Sequence, residues 1–150
     1  MARVSRIKID KDLESEIFNQ FWSSLARIND SGKTSEFFSD LLSETESLML
    51  AKRFTAAILI VRGRPATEIR NSIHLSYSAI GTVAAWVKNG KPETKRILTK
   101  ISVEKNWEAV LDTIDSILDK IPPRRHSDWK EEYAKKRKRT NQRLSRKSLR

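Results

Sequence analysis

Residues 65–87 read Pro65-Ala66-Thr67-Glu68-Ile69-Arg70-Asn71-Ser72-Ile73-His74-Leu75-Ser76-Tyr77-Ser78-Ala79-Ile80-Gly81-Thr82-Val83-Ala84-Ala85-Trp86-Val87. Pro65 and Thr67 open one short helix, over about 66–72, and Ser76 caps a second, over about 77–88. The apolar positions Ile69, Ile73, Leu75, Ile80 and Val83 have the offsets by which two short helices clamp each other across a tight turn. Ser76, Tyr77, Ser78, Ala79, Gly81 and Thr82 then lie on the exposed first turns of the second helix. They are small or flat side chains that let a helix enter a major groove. Two short helices joined this way form a helix-turn-helix, the docking unit of many DNA readers.

The flanks extend a helical pattern in both directions. Upstream, residues 44–62 form a helix opened by Ser43-Glu44-Thr45-Glu46, a capping box in which hydroxyl and carboxylate each reach the other residue's amide. Its end, Ala56-Ala57-Ile58-Leu59-Ile60-Val61, is apolar on every side, which predicts a central, buried helix. Gly63 supplies the left-handed residue that closes it. Residues 34–42 form a short helix. Residues 10–28 form a longer one, with a stripe of Leu13, Ile17, Phe21, Leu25 and Ile28 widened by Phe18 and Trp22. Downstream, Asn89-Gly90-Lys91-Pro92 stops the second helix of the motif. A further helix, broken near Ser102, spans about 93–120, with Trp107, Val110, Leu111, Ile114, Ile117, Leu118 and Ile121 as its stripe. Pro122-Pro123 ends the domain. Four Gly and four Pro in 150 residues are too few for a turn-rich strand fold, so the expected class is all-α.

Charge is distributed unevenly. Net charge is +11, but residues 124–150 hold twelve Lys and Arg against three acids, while residues 1–123 are nearly balanced. The expected organisation is an N-terminal arm over 1–9, a helical domain over 10–123 and a basic tail over 124–150, disordered or partly helical. Asp128 and Glu131 can cap a short helix carrying Trp129 and Tyr133. From Lys135 onward the chain has almost no apolar residues to bury. Such a tail attracts polyanions, DNA or RNA, through Lys135, Lys136, Arg137, Lys138, Arg139 and Arg143.

Other chemistries find little support. With no Cys there are no disulfides or thiolate metal sites, and a reducing cytoplasm, at the nucleoid, is the expected setting. The two histidines, His74 and His126, lack a second ligand at metal spacing, and no phosphate-binding loop or metalloprotease motif occurs. No metal, cofactor or enzymatic activity is expected. The longest apolar run, residues 56–61, is far shorter than the roughly 20 residues a bilayer span needs.

In order and spacing, Leu42-Ser43-Glu44-Thr45-Glu46, Ala51-Lys52-Arg53-Phe54, Arg62-Gly63, Glu68-Ile69, Ile73-His74-Leu75-Ser76 and Ala79-Ile80 resemble the Trp repressor superfamily, particularly its small members, over about residues 37–90. The resemblance implies an intertwined homodimer on double-stranded DNA, with outer helices crossing between subunits. The wide apolar faces of residues 10–28 and 105–121 fit that arrangement. It places Tyr77, Ser78 and Gly81 toward base edges, with Thr67, Ser76 and Thr82 close by, and Arg62, Arg64, Arg70 and Lys88 toward phosphates. The family has Gly in the tight turn where this chain has His74. Of the two arginines that bracket the corepressor, one matches Arg53 and the other is Thr82, which implies no tryptophan sensing. The expected function is a sequence-specific regulator, repressor-like, acting as a homodimer. The alternative is an architectural or RNA-associated protein in which the tail binds and the helical domain dimerises. A third reading is the DNA-binding part of a mobile-element complex. On the sequence alone, Trp86 belongs to the core, and Trp22 and Trp107 to the core or a dimer seam.

Overall fold

The computed structural model describes residues 10–122 and 128–148. Among them it is entirely helical: α1 (Lys11–Leu25), α2 (Ser31–Leu41), α3 (Glu44–Val61), α4 (Ala66–Ile73), α5 (Tyr77–Asn89), α6 (Pro92–Ser102), α7 (Lys105–Lys120) and α8 (Trp129–Ser148). The expected arm at 1–9, Pro123 and the linker arginines with His126 lie outside the described residues. Two compact units divide between Leu48 and Met49.

Helix boundaries follow local chemistry. Asp10 caps α1, its carboxylate accepting from the amides of Asp12 and Leu13. Asp30 caps α2 by accepting from Lys33. That cap starts α2 at Ser31, three residues before the position expected from the apolar pattern, because Ser31 and Gly32 serve as its first turn. The capping box forms in both directions: the Glu46 carboxylate accepts from the Ser43 amide at 3.0 Å, and the Ser43 hydroxyl accepts from the Glu46 amide at 3.3 Å. The Ser43 hydroxyl also donates to that carboxylate. This bond and the amide bond hold Glu46 below the ordinary carboxyl range. The helix beyond Asn89 is indeed two: α6 ends at Ser102, and α7 begins at Lys105.

One core occupies the second unit. Ala56, Ala57, Ile58 and Leu59 of α3 are buried on all sides, as their apolar run demands. Ile69 of α4, Ile80 and Val83 of α5, Leu98 of α6, and Leu111, Ile114 and Leu118 of α7 close around them, with Trp107 packed against the cluster. Trp86 departs from its expected place and is 46% exposed. The buried face of α5 is set by Ile80, Val83 and Val87, and a residue six positions past Ile80 is rotated well off that face. In the first unit, α1 and α2 bury no residue at all.

Two left-handed residues shape the neighbourhood of the motif. Gly63, at φ 74°, ends α3. His74, at φ 54° and ψ 50°, ends α4 and makes the turn into α5. A side chain in this region costs roughly 1–2 kcal/mol, whereas Gly adopts it freely but loses more entropy on folding. His74→Gly should therefore stabilise the chain by about 0.5–1 kcal/mol in urea unfolding. An unchanged or lower midpoint would show that the imidazole makes a compensating contact.

Candidate nucleic-acid interface

The helix-turn-helix is α4, the turn at His74-Leu75-Ser76, and α5. The His74 amide donates to the Arg70 carbonyl, closing α4. The Ser76 hydroxyl then accepts from the Ala79 amide at 3.1 Å and opens α5. Buried Ile69, Ile80 and Val83 clamp the two helices, and Ile73 and Leu75 pack against the same core. The inner face is thus fully used, and the outer one is left to solvent.

Thr67, Ser76, Tyr77, Ser78, Gly81 and Thr82 are all exposed. A Cβ added at Gly81 would meet nothing within 4 Å, so the glycine leaves open space on the outer face of α5 rather than fitting a tight contact inside. Thr82 turns its hydroxyl back to the Ser78 carbonyl at 3.0 Å, an interaction that competes with any outward donor role. Tyr77 is held by Arg70, whose guanidinium carbon lies 4.8 Å from the ring centroid. That stack fixes the ring at the first turn of α5 and ties α4 to it.

The four flanking cations divide into two pairs. Arg70 and Lys88 are exposed beside the motif. Arg62 and Arg64 face internal acceptors instead. The Arg62 guanidinium donates through both Nε and Nη2 to the Ser102 carbonyl at the end of α6. Burial, and then the nearby charge of Arg146, lowers its pKa from the ordinary arginine value. Arg64 pairs with Glu68 at 3.1 Å and with Asp115 of α7 at 2.8 Å. The contrast with the expected phosphate role has a simple cause. A buried carbonyl and a buried carboxylate need partners: Arg62 donates to the first, and Arg64 supplies a counter-charge to the second beside Arg146.

In the tail, the helix is longer than the short one expected around Trp129 and Tyr133. Residues 129–148 form α8, tied to α7 and α4 by ion pairs. Arg139 reaches Asp119 at 3.2 Å and Glu68 of α4 at 3.1 Å, Arg143 lies 3.9 Å from Asp119, and Arg146 pairs with Asp115 at 2.7 Å and Asp112 at 2.9 Å. The sequence carried this signal in Asp112, Asp115 and Asp119 at helical spacing, opposite Arg139, Arg143 and Arg146 at matching spacing. Lys130, Lys136, Arg137 and Lys138 are exposed and carry no ion pair among the described residues. Lys135 pairs with Glu131 and Glu132, which raise its pKa. Trp129 and Tyr133 lie with ring centroids 6.2 Å apart, both exposed.

A helical domain that presents a capped helix-turn-helix in this way defines a DNA-binding class of protein. Residues 16–102, more than half of the chain, match the family of the Trp repressor protein, and the chain belongs to that family. Its members are helix-turn-helix regulators rather than enzymes. No curated protein and no solved structure matches the chain. The matched span ends with α6, so α7, α8 and the charged seam between them lie beyond it. Among the described residues, no helix is long and apolar enough to cross a membrane.

Proposed function

We propose that the protein is a sequence-specific, repressor-like DNA-binding regulator that acts as a homodimer and does not sense tryptophan. The observation that carries this reading is the motif itself: a capped α5 whose inner face is buried and whose outer first turns, Tyr77, Ser78, Gly81 and Thr82, are exposed. Tyr77, Ser78 and Gly81 would face base edges, with Thr67 and Ser76 at the margin. Arg70 and Lys88 would meet phosphates. Arg62 and Arg64 drop out of that set because their guanidinium groups are engaged inside the fold.

None of Tyr77, Ser78, Gly81 and Thr82 on the outer first turns of α5 is Arg, Asn or Gln, the side chains that make bidentate base contacts. Recognition would then lean on DNA shape and on bridging water as well as on direct contacts. The homodimer is supported by α1 and α2, which bury none of their apolar residues within the chain. The absence of tryptophan sensing rests on Thr82, which stands where the family resemblance expects the second arginine of the corepressor clamp.

Binding-site selection from random duplex DNA with the full chain tests the proposal. The expected result is a two-fold site whose half-sites lie about one helical turn, roughly 34 Å, apart. Tyr77→Ala and Ser78→Ala should each weaken the preference for that site by about 1 kcal/mol while leaving non-specific binding in place. Enrichment of no site, with tight binding retained, would move the function to the cationic tail and favour the architectural or RNA-associated alternative.

A further inference from the structure

Helix pairs usually meet along an apolar stripe. The seam between α7 and α8 is charged instead, and its order is antiparallel: Asp119 meets Arg139 and Arg143, while Asp112 and Asp115 meet Arg146. Arg139 extends the seam to α4 through Glu68. Including Arg64, four guanidinium groups face four carboxylates, so the seam is neutral as a whole. Three of the seven arginines of residues 124–150, Arg139, Arg143 and Arg146, are therefore neutralised within the fold.

The rest of α8's charge lies elsewhere. Lys130, Arg137 and Lys138 line one shallow groove together with Tyr133 and Asn141. The three cations are exposed and make no ion pair among the described residues. The nearest acid in sequence, Glu131, is held by Lys135 at 2.9 Å. The seam also fixes where α8 itself is carried. Arg139 and Lys135 share a cleft of about 350 Å³ with Thr67 and Asn71 of α4. Helix α8 thus runs beside the first helix of the motif.

We infer that α8 is a fixed second DNA-contacting element. Its seam arginines lock it to α7 and α4, and Lys130, Arg137 and Lys138 grip phosphates of the duplex flanking the segment met by α5. The inference rests on the DNA-binding reading above. Charge complementarity selects the occupant, since a row of unpaired cations on a rigid helix suits a regularly charged backbone. A docked helix also gives up less conformational freedom on binding than a loose arm.

The test is the salt dependence of binding by the full chain on a 40-base-pair duplex, read by fluorescence anisotropy. K130Q/R137Q/K138Q removes three cations that make no ion pair among the described residues. It should flatten the slope of log affinity against log salt by about 2–3, at roughly 0.9 per phosphate, and leave site preference intact. D112N/D119N raises the net charge by two but releases two anchors of the seam. A fixed element predicts weaker binding and a flatter slope for it, with helical content in circular dichroism otherwise retained. A loose arm predicts equal or tighter binding. An unchanged slope in the triple variant overturns the inference, as does tighter binding by D112N/D119N. A loss confined to single-stranded RNA overturns it too. Lack of site preference in the parent chain defeats the helix-turn-helix reading alone, because the slope is measured on duplex of any sequence.

Discussion

Asp115→Ala is expected to destabilise the chain by about 3 kcal/mol, the lower end of the range for breaking a buried ion pair by removing one partner. Asp115 is 1% exposed and takes both neighbours at once, Arg64 at 2.8 Å and Arg146 at 2.7 Å. The Arg146 contact is a hydrogen bond. On the other oxygen, Arg64 approaches off its N–H direction, so that contact is an ion pair without a hydrogen bond. Alanine would leave two guanidinium groups, at 12% and 13% exposure, short of a counter-charge where water cannot replace it. The loss stays near the lower limit because Arg64 keeps Glu68 and Arg146 keeps Asp112. For a chain of this size it corresponds to roughly 6–12 °C in Tm. Urea unfolding provides the check, with Glu93→Ala as comparison. Glu93 pairs with Arg96 at the same kind of distance, 3.1 Å, but at 66% and 78% exposure, and its removal should cost less than about 0.5 kcal/mol. Similar losses for the two variants would mean that the seam does not close in solution.

The outcome for Asp115 bears on what the sequence could reveal. Features decided within one or two turns of chain were readable: the Ser43–Glu46 box, Gly63 at the end of α3, the His74 turn and the Ser76 cap each depend on neighbours three or four residues away. The buried run of α3 was readable too, because an all-round apolar segment has only one place to go. A side chain whose partner lies far along the chain is harder to read. Arg64 looks like a surface cation until Asp115, 51 residues later, is brought against it. The tail looks unable to dock because it has little apolar surface, yet the charges of α7 supply what apolar contact does not. Had Asp112, Asp115 and Asp119 been read as one face, their match to Arg139, Arg143 and Arg146 would have predicted α8. Trp86 failed for a different reason. Its size suggested burial, but the phase of Ile80, Val83 and Val87 had already fixed the face that α5 turns inward.

Helix α1 carries its apolar residues on one side. Leu13, Ile17, Phe18, Phe21 and Trp22 share one broad face, and each is well exposed within the chain, Trp22 at 59%. Phe21 and Trp22 stack edge to face at 4.9 Å, which organises the patch without covering it. Fully burying one such side chain gains about 1.5–3 kcal/mol, and about half of that is still available at these exposures, so a symmetric dimer covering all five on each copy would gain about 7–15 kcal/mol, the same order as the roughly 4–15 kcal/mol cost of association. Ile17→Glu combined with Trp22→Glu is therefore expected to convert the proposed dimer to a monomer of half the mass in light scattering. Both positions are on the exposed face, so the core around Leu59, Ile69 and Leu111 should keep its helical signal. The larger consequence falls on DNA. A two-fold site gains its affinity from two linked recognition helices, and losing the link removes the advantage of effective concentration, about 10²–10⁴-fold. Affinity for the selected two-fold site should drop by that factor, while affinity for an isolated half-site should hardly change. A parent chain that is monomeric at micromolar concentration, or a variant that loses both affinities equally, would place the α1 face outside the DNA-binding assembly.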